Sequence, residues 1–199
     1  MPAKGRDLVH RVGYLGPKGT FSQEAAAAYT RGRSAAASWS YKLVSCRSLK
    51  ELFDRLCDFR LEEAVVPVEN TVAGPVKEAL EMIASFPRFE VTGEVILPVQ
   101  HSLLVPPGIT LGKIELVVSH PQALAQCAQF LRQHLPGVPA KSASSTAAAA
   151  RLVGRAGRPW AALGPARLSK MYGLEVLTEG AGAPPPSATR FLVLRIDQQ

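Results

Sequence analysis

Cysteine is scarce in this chain of 199 residues. Its three copies, Cys46, Cys57 and Cys127, are odd in number with no close pair, which argues against a disulfide framework and a structural zinc site. The four histidines, His10, His101, His120 and His134, show no helical ligand spacing and have no carboxylate cluster beside them, so no metal is expected. No apolar run approaches the ~18–20 residues of a membrane span. The basic N-terminus lacks the apolar stretch and cleavage site of a secretory signal, and a cytoplasmic protein with no membrane partner is expected. Blocks of like charge are missing too. The formal net charge is +7, but Lys and Arg are scattered, with no aromatics interleaved to stack bases. No nucleic-acid partner is expected, and a small anionic ligand stays open.

What is present is an alternation of apolar runs with helical patterns, the signature of an α/β fold layered around a largely parallel sheet. "VGYLG", "YKLVSC" and "EAVVPVEN" read as strands, and "FSQEAAAAYT" and "SLKELFDRLCDF" as the helices between them. "PVKEALEMIAS" reads as a helix with Pro75 in its first turn. After a break near residues 86–92 a second set follows. "EVTGEVILPVQHSLLV" reads as one or two strands, "ELVVSH", "PWAALG" and "LEVLTEG" as further strands, and "PQALAQCAQFLRQ", "STAAAARLVG" and "PARLSKMYG" as helices. Two α/β lobes facing each other across a cleft are the natural arrangement. The terminal "TRFLVLRI" is apolar enough to be a buried strand.

Several helix starts carry the same chemistry. Thr20 and Gln23 form a T-x-x-Q capping box after a glycine-containing turn, so that Gly16, Gly19 and Thr20 would expose backbone N–H groups. Ser119-His120-Pro121 and Ser144-Ser145-Thr146 put hydroxyls ahead of two more helices. Each such residue alone is an ordinary cap worth about 1 kcal/mol. Together with Glu69-Asn70-Thr71 at a strand end and Arg190 on the terminal strand, they describe a pocket for a small dicarboxylate. No Walker or G-x-G-x-x-G motif is present, so nucleotide binding has no support. Cys127, inside an apolar helix, reads as a core thiol.

"GYLGPKGTFSQEAA", "VPVENTVAG", "VSHPQALAQC", "STAAAA" and "TRFLVL" occur in the order in which prephenate dehydratases carry their corresponding motifs, and the chain resembles that family from about Arg11 to Arg195. The resemblance implies two α/β lobes of the type-II periplasmic-binding-protein kind, with lobe 1 at residues 1–96 plus 189–199 and lobe 2 at 97–188. It implies decarboxylative dehydration of prephenate to phenylpyruvate in phenylalanine biosynthesis, without a cofactor, by a homodimer. Thr189, Asn70 and Gln126 map onto catalytic positions. Arg190, Phe191, Ser119, Ser145 and Thr146 map onto further family positions and are expected to bind substrate, with Arg190 meeting the side-chain end of the substrate or the strand framework; Gly19, Thr20 and Thr71, from the helix start and strand end above, are expected to bind it too. Family members commonly carry Asn where Ser187 stands, the preceding loop is rich in proline, and no stretch resembles the regulatory ACT domain that usually follows. Arogenate is the alternative substrate. A non-aromatising prephenate decarboxylase would have to avoid protonating the hydroxyl, against the intact "TRF", and a non-catalytic anion-binding module would be marked by loss of Thr189, Asn70 or Gln126.

Overall fold

The structure, a computed structural model, describes residues 9–34, 39–182 and 187–197; the proline-rich stretch 184–186 lies outside the described residues. The first half alternates β1 (Val9–Leu15), α1 (Phe21–Ser34), β2 (Ser40–Cys46), α2 (Leu49–Cys57) and β3 (Glu63–Asn70). A short β4 (Gly74–Pro75), α3 (Lys77–Ala84) and the long β5 (Phe89–Val99) follow. β6 (Ser102–Val105), β7 (Leu116–Ser119), α4 (Pro121–Gln126), α5 (Ala128–His134) and β8 (Ala140–Ser142) open the second half. It closes with α6 (Thr146–Ala156), β9 (Trp160–Gly164), α7 (Leu168–Tyr172) and β10 (Glu175–Thr178), and β11 (Ser187–Ile196) is the last element described.

Two sheets result, in the orders β2-β1-β3-β11-β5, with β4 on β3, and β10-β6-β9-β7-β8. β5 stays in the first sheet to Val99, β6 opens in the second at Ser102, and β11 returns to the first from Ser187. Neither sheet is largely parallel. In the first, β1 runs parallel to β2 and β3, whereas β11 runs antiparallel to both β3 and β5. In the second, β9-β7-β8 is parallel and β10-β6-β9 antiparallel. The mixture follows from connectivity, because the returning β11 is inserted beside β3 rather than added through a right-handed crossover.

Each sheet is buried on both faces, as period-2 alternation dictates for runs apolar at every position. Val66 and Leu194 pack on one face with Leu52, Phe53 and Leu56 of α2, while Val65, Phe191 and Val193 pack on the other with Ala25 and Ala26 of α1. In the second sheet Leu103 and Leu163 face the cluster containing Cys127, and Leu104 and Ala162 face Ala147, Ala150 and Val153 of α6. α2 buries Leu49, Leu52, Phe53 and Leu56, one helical stripe, and is capped by Ser48, whose Oγ accepts from Glu51 N at 3.1 Å. Burial pushes the Cys127 thiol up to about 12, which fits a packed core thiol.

Two local expectations are corrected. Pro75 is not in a helix: it pairs with Glu69 in the β3–β4 bridge, and α3 begins at Lys77. The "PQALAQCAQFLRQ" helix is broken at Cys127 (φ −99°, ψ 6°), so that α4 ends on Gln126 and α5 begins at Ala128. Among the described residues no helix is long and apolar enough to cross a membrane.

Candidate active site

The lobes face each other across a cleft of about 250 Å³. The first lobe contributes Leu15, Thr20, Asn70 and Thr189, the second His120, Gln126, Ser145 and Thr146, with Val99 and His101 at the crossing between them. A roomier cavity of about 470 Å³ lies at the other end of the first sheet, lined by His10, Glu63 and Arg195. Its buried Glu63 is already bonded to His10, Tyr29 and Thr92, so its polar groups are engaged with each other. The interlobe cleft lies beyond the carboxyl ends of β1, β3 and β7, where open α/β sheets bind ligands.

Asn70 and Thr189 are register partners of antiparallel β3 and β11. Asn70 is 6% exposed and its amide is fully used: Oδ1 accepts from Val72 N at 3.1 Å and Ala73 N at 3.0 Å, and Nδ2 donates to Ala188 O at 3.2 Å and Thr189 Oγ1 at 2.9 Å. The direction of the last bond matters. Because Thr189 Oγ1 accepts from Asn70, its own O–H is free to donate, and no acceptor for it is found among the described residues. Asn70 therefore orients the Thr189 hydroxyl rather than reaching a ligand itself.

Gln126, the last residue of α4, meets His101 just after the crossing strand, with Oε1 and Nε2 2.9 Å apart. His101 Nδ1 and Gln126 Nε2 are buried without a partner among the described residues, and they are the two side-chain atoms of which this is true. Such orphans cost about 1–3 kcal/mol each. With the proton on His101 Nε2, Nδ1 is left as an acceptor and the amide as a donor; with the amide and tautomer reversed, the roles exchange. Either way one donor and one acceptor remain, the complement of a hydroxyl group. Burial, opposed by the Gln126 hydrogen bond, lowers the His101 pKa, so the ring is neutral at pH 7. The Phe21 ring meets it edge-on at 5.7 Å between centroids.

Of the residues expected at the site, Thr189, Asn70, Gln126, Thr20, Ser145 and Thr146 line this cleft, and five others do not. Arg190 follows Thr189 along the strand and so faces the other way; its Nε donates to Glu94 on β5 at 2.9 Å, in the strand framework. Phe191, 1% exposed, is in the core of the first lobe. Ser119 is wholly buried and its Oγ donates to Leu163 O at 2.7 Å, tying β7 to β9. Thr71 clasps β11, its Oγ1 accepting from Ala188 N at 2.9 Å. Gly19 (φ +94°) has a structural reason, since a Cβ there would stand 2.6 Å from Leu168 Cδ2. Ser187, 6% exposed, is paired with Val99 rather than aimed at the cleft.

The exposed N–H groups expected at the first helix start are also corrected. Gly16 N donates to Cys46 O at 2.7 Å, Thr20 N to Pro17 O at 3.4 Å and Gly19 N to Gln23 Oε1 at 2.6 Å. Ser145 acts as a cap, accepting from Ala148 N at 3.0 Å, and His120 Nδ1 accepts from Gln122 N at 3.3 Å. His101 and Phe21 were missed as wall residues. Their signal was a histidine between two apolar strands and an aromatic directly after the Thr20 cap. Across the lobes Arg167 donates to Glu24 and to Gly19 O and lies over the Phe21 ring. Burial pulls its guanidinium down to about 10, which leaves it charged at pH 7.

Two α/β lobes with a polar cleft at their crossing define a small-molecule-binding fold, here with a free hydroxyl donor at its centre. The sequence profile of the prephenate dehydratase family matches residues 12–199, and the chain belongs to that family. It is 32% identical over 182 residues to a prephenate dehydratase of Methanocaldococcus jannaschii, covering 91% of this chain and 63% of that protein. It is 34% identical over 198 residues to the chloroplastic arogenate dehydratase 5 of Arabidopsis thaliana, covering 98% of this chain and 44% of that protein. The chain thus spans less than two thirds of the length of these relatives. The crystal structure of prephenate dehydratase from Arthrobacter aurescens, in complex with L-Phe, superimposes with a TM-score of 0.81 at 29% identity, covering 95% of this chain and 61% of that one.

Proposed function

We propose that this chain is a catalytic unit that converts prephenate to phenylpyruvate, carbon dioxide and water. The observation that carries the reading is the Asn70–Thr189 hydrogen bond, whose direction leaves the Thr189 O–H free to donate into the cleft. In the reaction the bond between the ring and its carboxylate breaks and the electron pair enters the ring. The C–O bond opposite breaks, and the oxygen departs as hydroxide. Negative charge moves from carboxylate to leaving oxygen, so a donor at that oxygen acts mainly in the transition state. Thr189 is that donor, and His101 and Gln126 line the same cleft. Aromatisation supplies the driving force, so no nucleophile or cofactor is required.

No lysine or arginine lines the cleft among the described residues, which favours loss of the ring carboxylate as neutral CO2. Arg190, paired with Glu94, acts through the strand framework. A cytoplasmic setting is supported by the free thiols of Cys46, Cys57 and Cys127. A homodimer is part of the proposal, supported by β5, a sheet edge with Val91 53% and Ile96 64% exposed. The test is phenylpyruvate formation from prephenate, read by absorbance in alkali, with arogenate in parallel. Consumption of prephenate without phenylpyruvate would point to a decarboxylase, and no turnover of either would reject the proposal.

A further inference from the structure

The proposed substrate is a dianion, yet the cleft that holds its reacting ring has no cationic side chain among the described residues. The carboxylate that becomes CO2 gains from that setting. The other carboxylate, on the pyruvyl side chain, survives the reaction and has no counter-charge there. A second pocket of about 300 Å³ adjoins the cleft, sharing Gly16 and Ser144 with it, and it is lined by Arg47, Arg151 and Tyr172. No carboxylate lines this pocket among the described residues. Arg47 directly follows β2 in the first lobe and Arg151 lies on α6 in the second, so the two cations approach from facing lobes.

Both have donors to spare. Arg47 uses its backbone N and Nε on Glu51 Oε2, at 2.7 and 3.2 Å, which leaves the two terminal nitrogens of its fork. Glu51 is shared, since its Oε1 also takes Arg55 at 2.7 Å, and so one carboxylate faces two guanidiniums. Arg151 is exposed and has no ion pair or hydrogen bond among the described residues. Local charge is therefore in positive excess where the pocket opens into the cleft.

On the reading above, we propose that this pocket is the subsite for the side-chain carboxylate, held by Arg151 and Arg47, and that it selects a keto acid over its amino-acid counterpart. A guanidinium fork suits a carboxylate in bidentate geometry. An ammonium on the carbon next to that carboxylate brings like charge against two arginines, a penalty on arogenate that prephenate does not meet. The side-chain carboxylate does not change during the reaction, so its contacts bind ground state and transition state alike and appear in KM rather than kcat.

Arg151→Gln is the cleaner variant, because Arg47 also serves the start of α2 through Glu51. We expect about a tenfold rise in KM for prephenate with kcat changed less than about twofold. In Arg151→Glu the ratio of kcat/KM for arogenate to that for prephenate should rise. Phenylpyruvate keeps the side-chain carboxylate, and its Kd by calorimetry should rise about tenfold in Arg151→Gln whether or not the chain turns over. Turnover of neither substrate by the native chain would reject the dehydratase reading. Native turnover with unchanged KM and unchanged phenylpyruvate affinity in Arg151→Gln would overturn the subsite alone.

Discussion

Replacing Asn70 by aspartate tests the direction of one hydrogen bond with almost no change in shape. The side chain keeps its acceptor for Val72 N and Ala73 N, so the turn after β3 persists. Its other arm changes from a donor to a carboxylate oxygen facing Ala188 O at 3.2 Å and Thr189 Oγ1 at 2.9 Å. The Thr189 hydroxyl is the only one of these that can adapt, by turning its proton toward the introduced carboxylate and away from the cleft. The bond lost in the transition state is one to a departing hydroxide, and hydrogen bonds to charged groups contribute about 1.5–3 kcal/mol. At ~1.4 kcal/mol per decade that is a fall in kcat of about 10- to 100-fold. The lone-pair opposition at Ala188 O costs about 1–3 kcal/mol of stability. Protonation of the introduced carboxylate restores a donor at this position, so the variant's activity relative to wild type should climb as pH falls. The assay is kcat and KM for prephenate across pH, with Tm to establish folding. A folded Asn70→Asp protein with wild-type kcat and pH profile would refute the orientation argument.

Two further perturbations follow from the site. The His101 pKa is lowered by burial from 6.5, so as pH falls below about 6.5 the unfolded chain takes up a proton that the folded chain refuses, and stability drops. His101→Gln should flatten that part of the slope in urea unfolding at pH 5.5 against 7.5; an unchanged slope would remove His101 as its source. Arg167→Met cuts the interlobe bonds to Glu24 and Gly19 O. Discounted for a pair about one third exposed, the loss is on the order of 1 kcal/mol. It should appear as a Tm lower by a few degrees with KM raised, because the Thr20–Phe21 corner loses its support; unchanged KM and Tm would show that the contact carries nothing.

Much of the fold was legible because its strands are apolar at nearly every position and its helices carry clean stripes, as in "EAVVPVEN" and in Leu49, Leu52, Phe53 and Leu56. The α4–α5 break was not, since no Gly, Pro or capping residue marks it in "ALAQCAQF", and Cys127, where it falls, is buried in the cluster against the second sheet. Pro75 reads locally as a helix start, and its pairing with Glu69, which brings in a residue outside that local pattern, places it in a bridge instead. At the site, residue types were readable but directions were not. Adjacent residues of a strand face opposite ways, which sends Arg190 to Glu94 when Thr189 meets the cleft. The register shift between Arg190 and Phe191, where Val68 of β3 is passed over, sets Asn70 rather than Glu69 opposite Thr189. Which N–H groups are free depends on tertiary partners such as Cys46 O for Gly16, and no local pattern reveals these.

The proposed reaction depends on the Thr189 hydroxyl donating to the leaving oxygen. Its most direct test is kcat for prephenate in Thr189→Val and Thr189→Ser, with folding checked by circular dichroism. The valine variant should lose about 100-fold or more, the usual scale for removing a proton donor from a transition state, and the serine variant, which keeps the O–H, should stay within about tenfold. A folded Thr189→Val protein that forms phenylpyruvate at the wild-type rate would contradict that dependence.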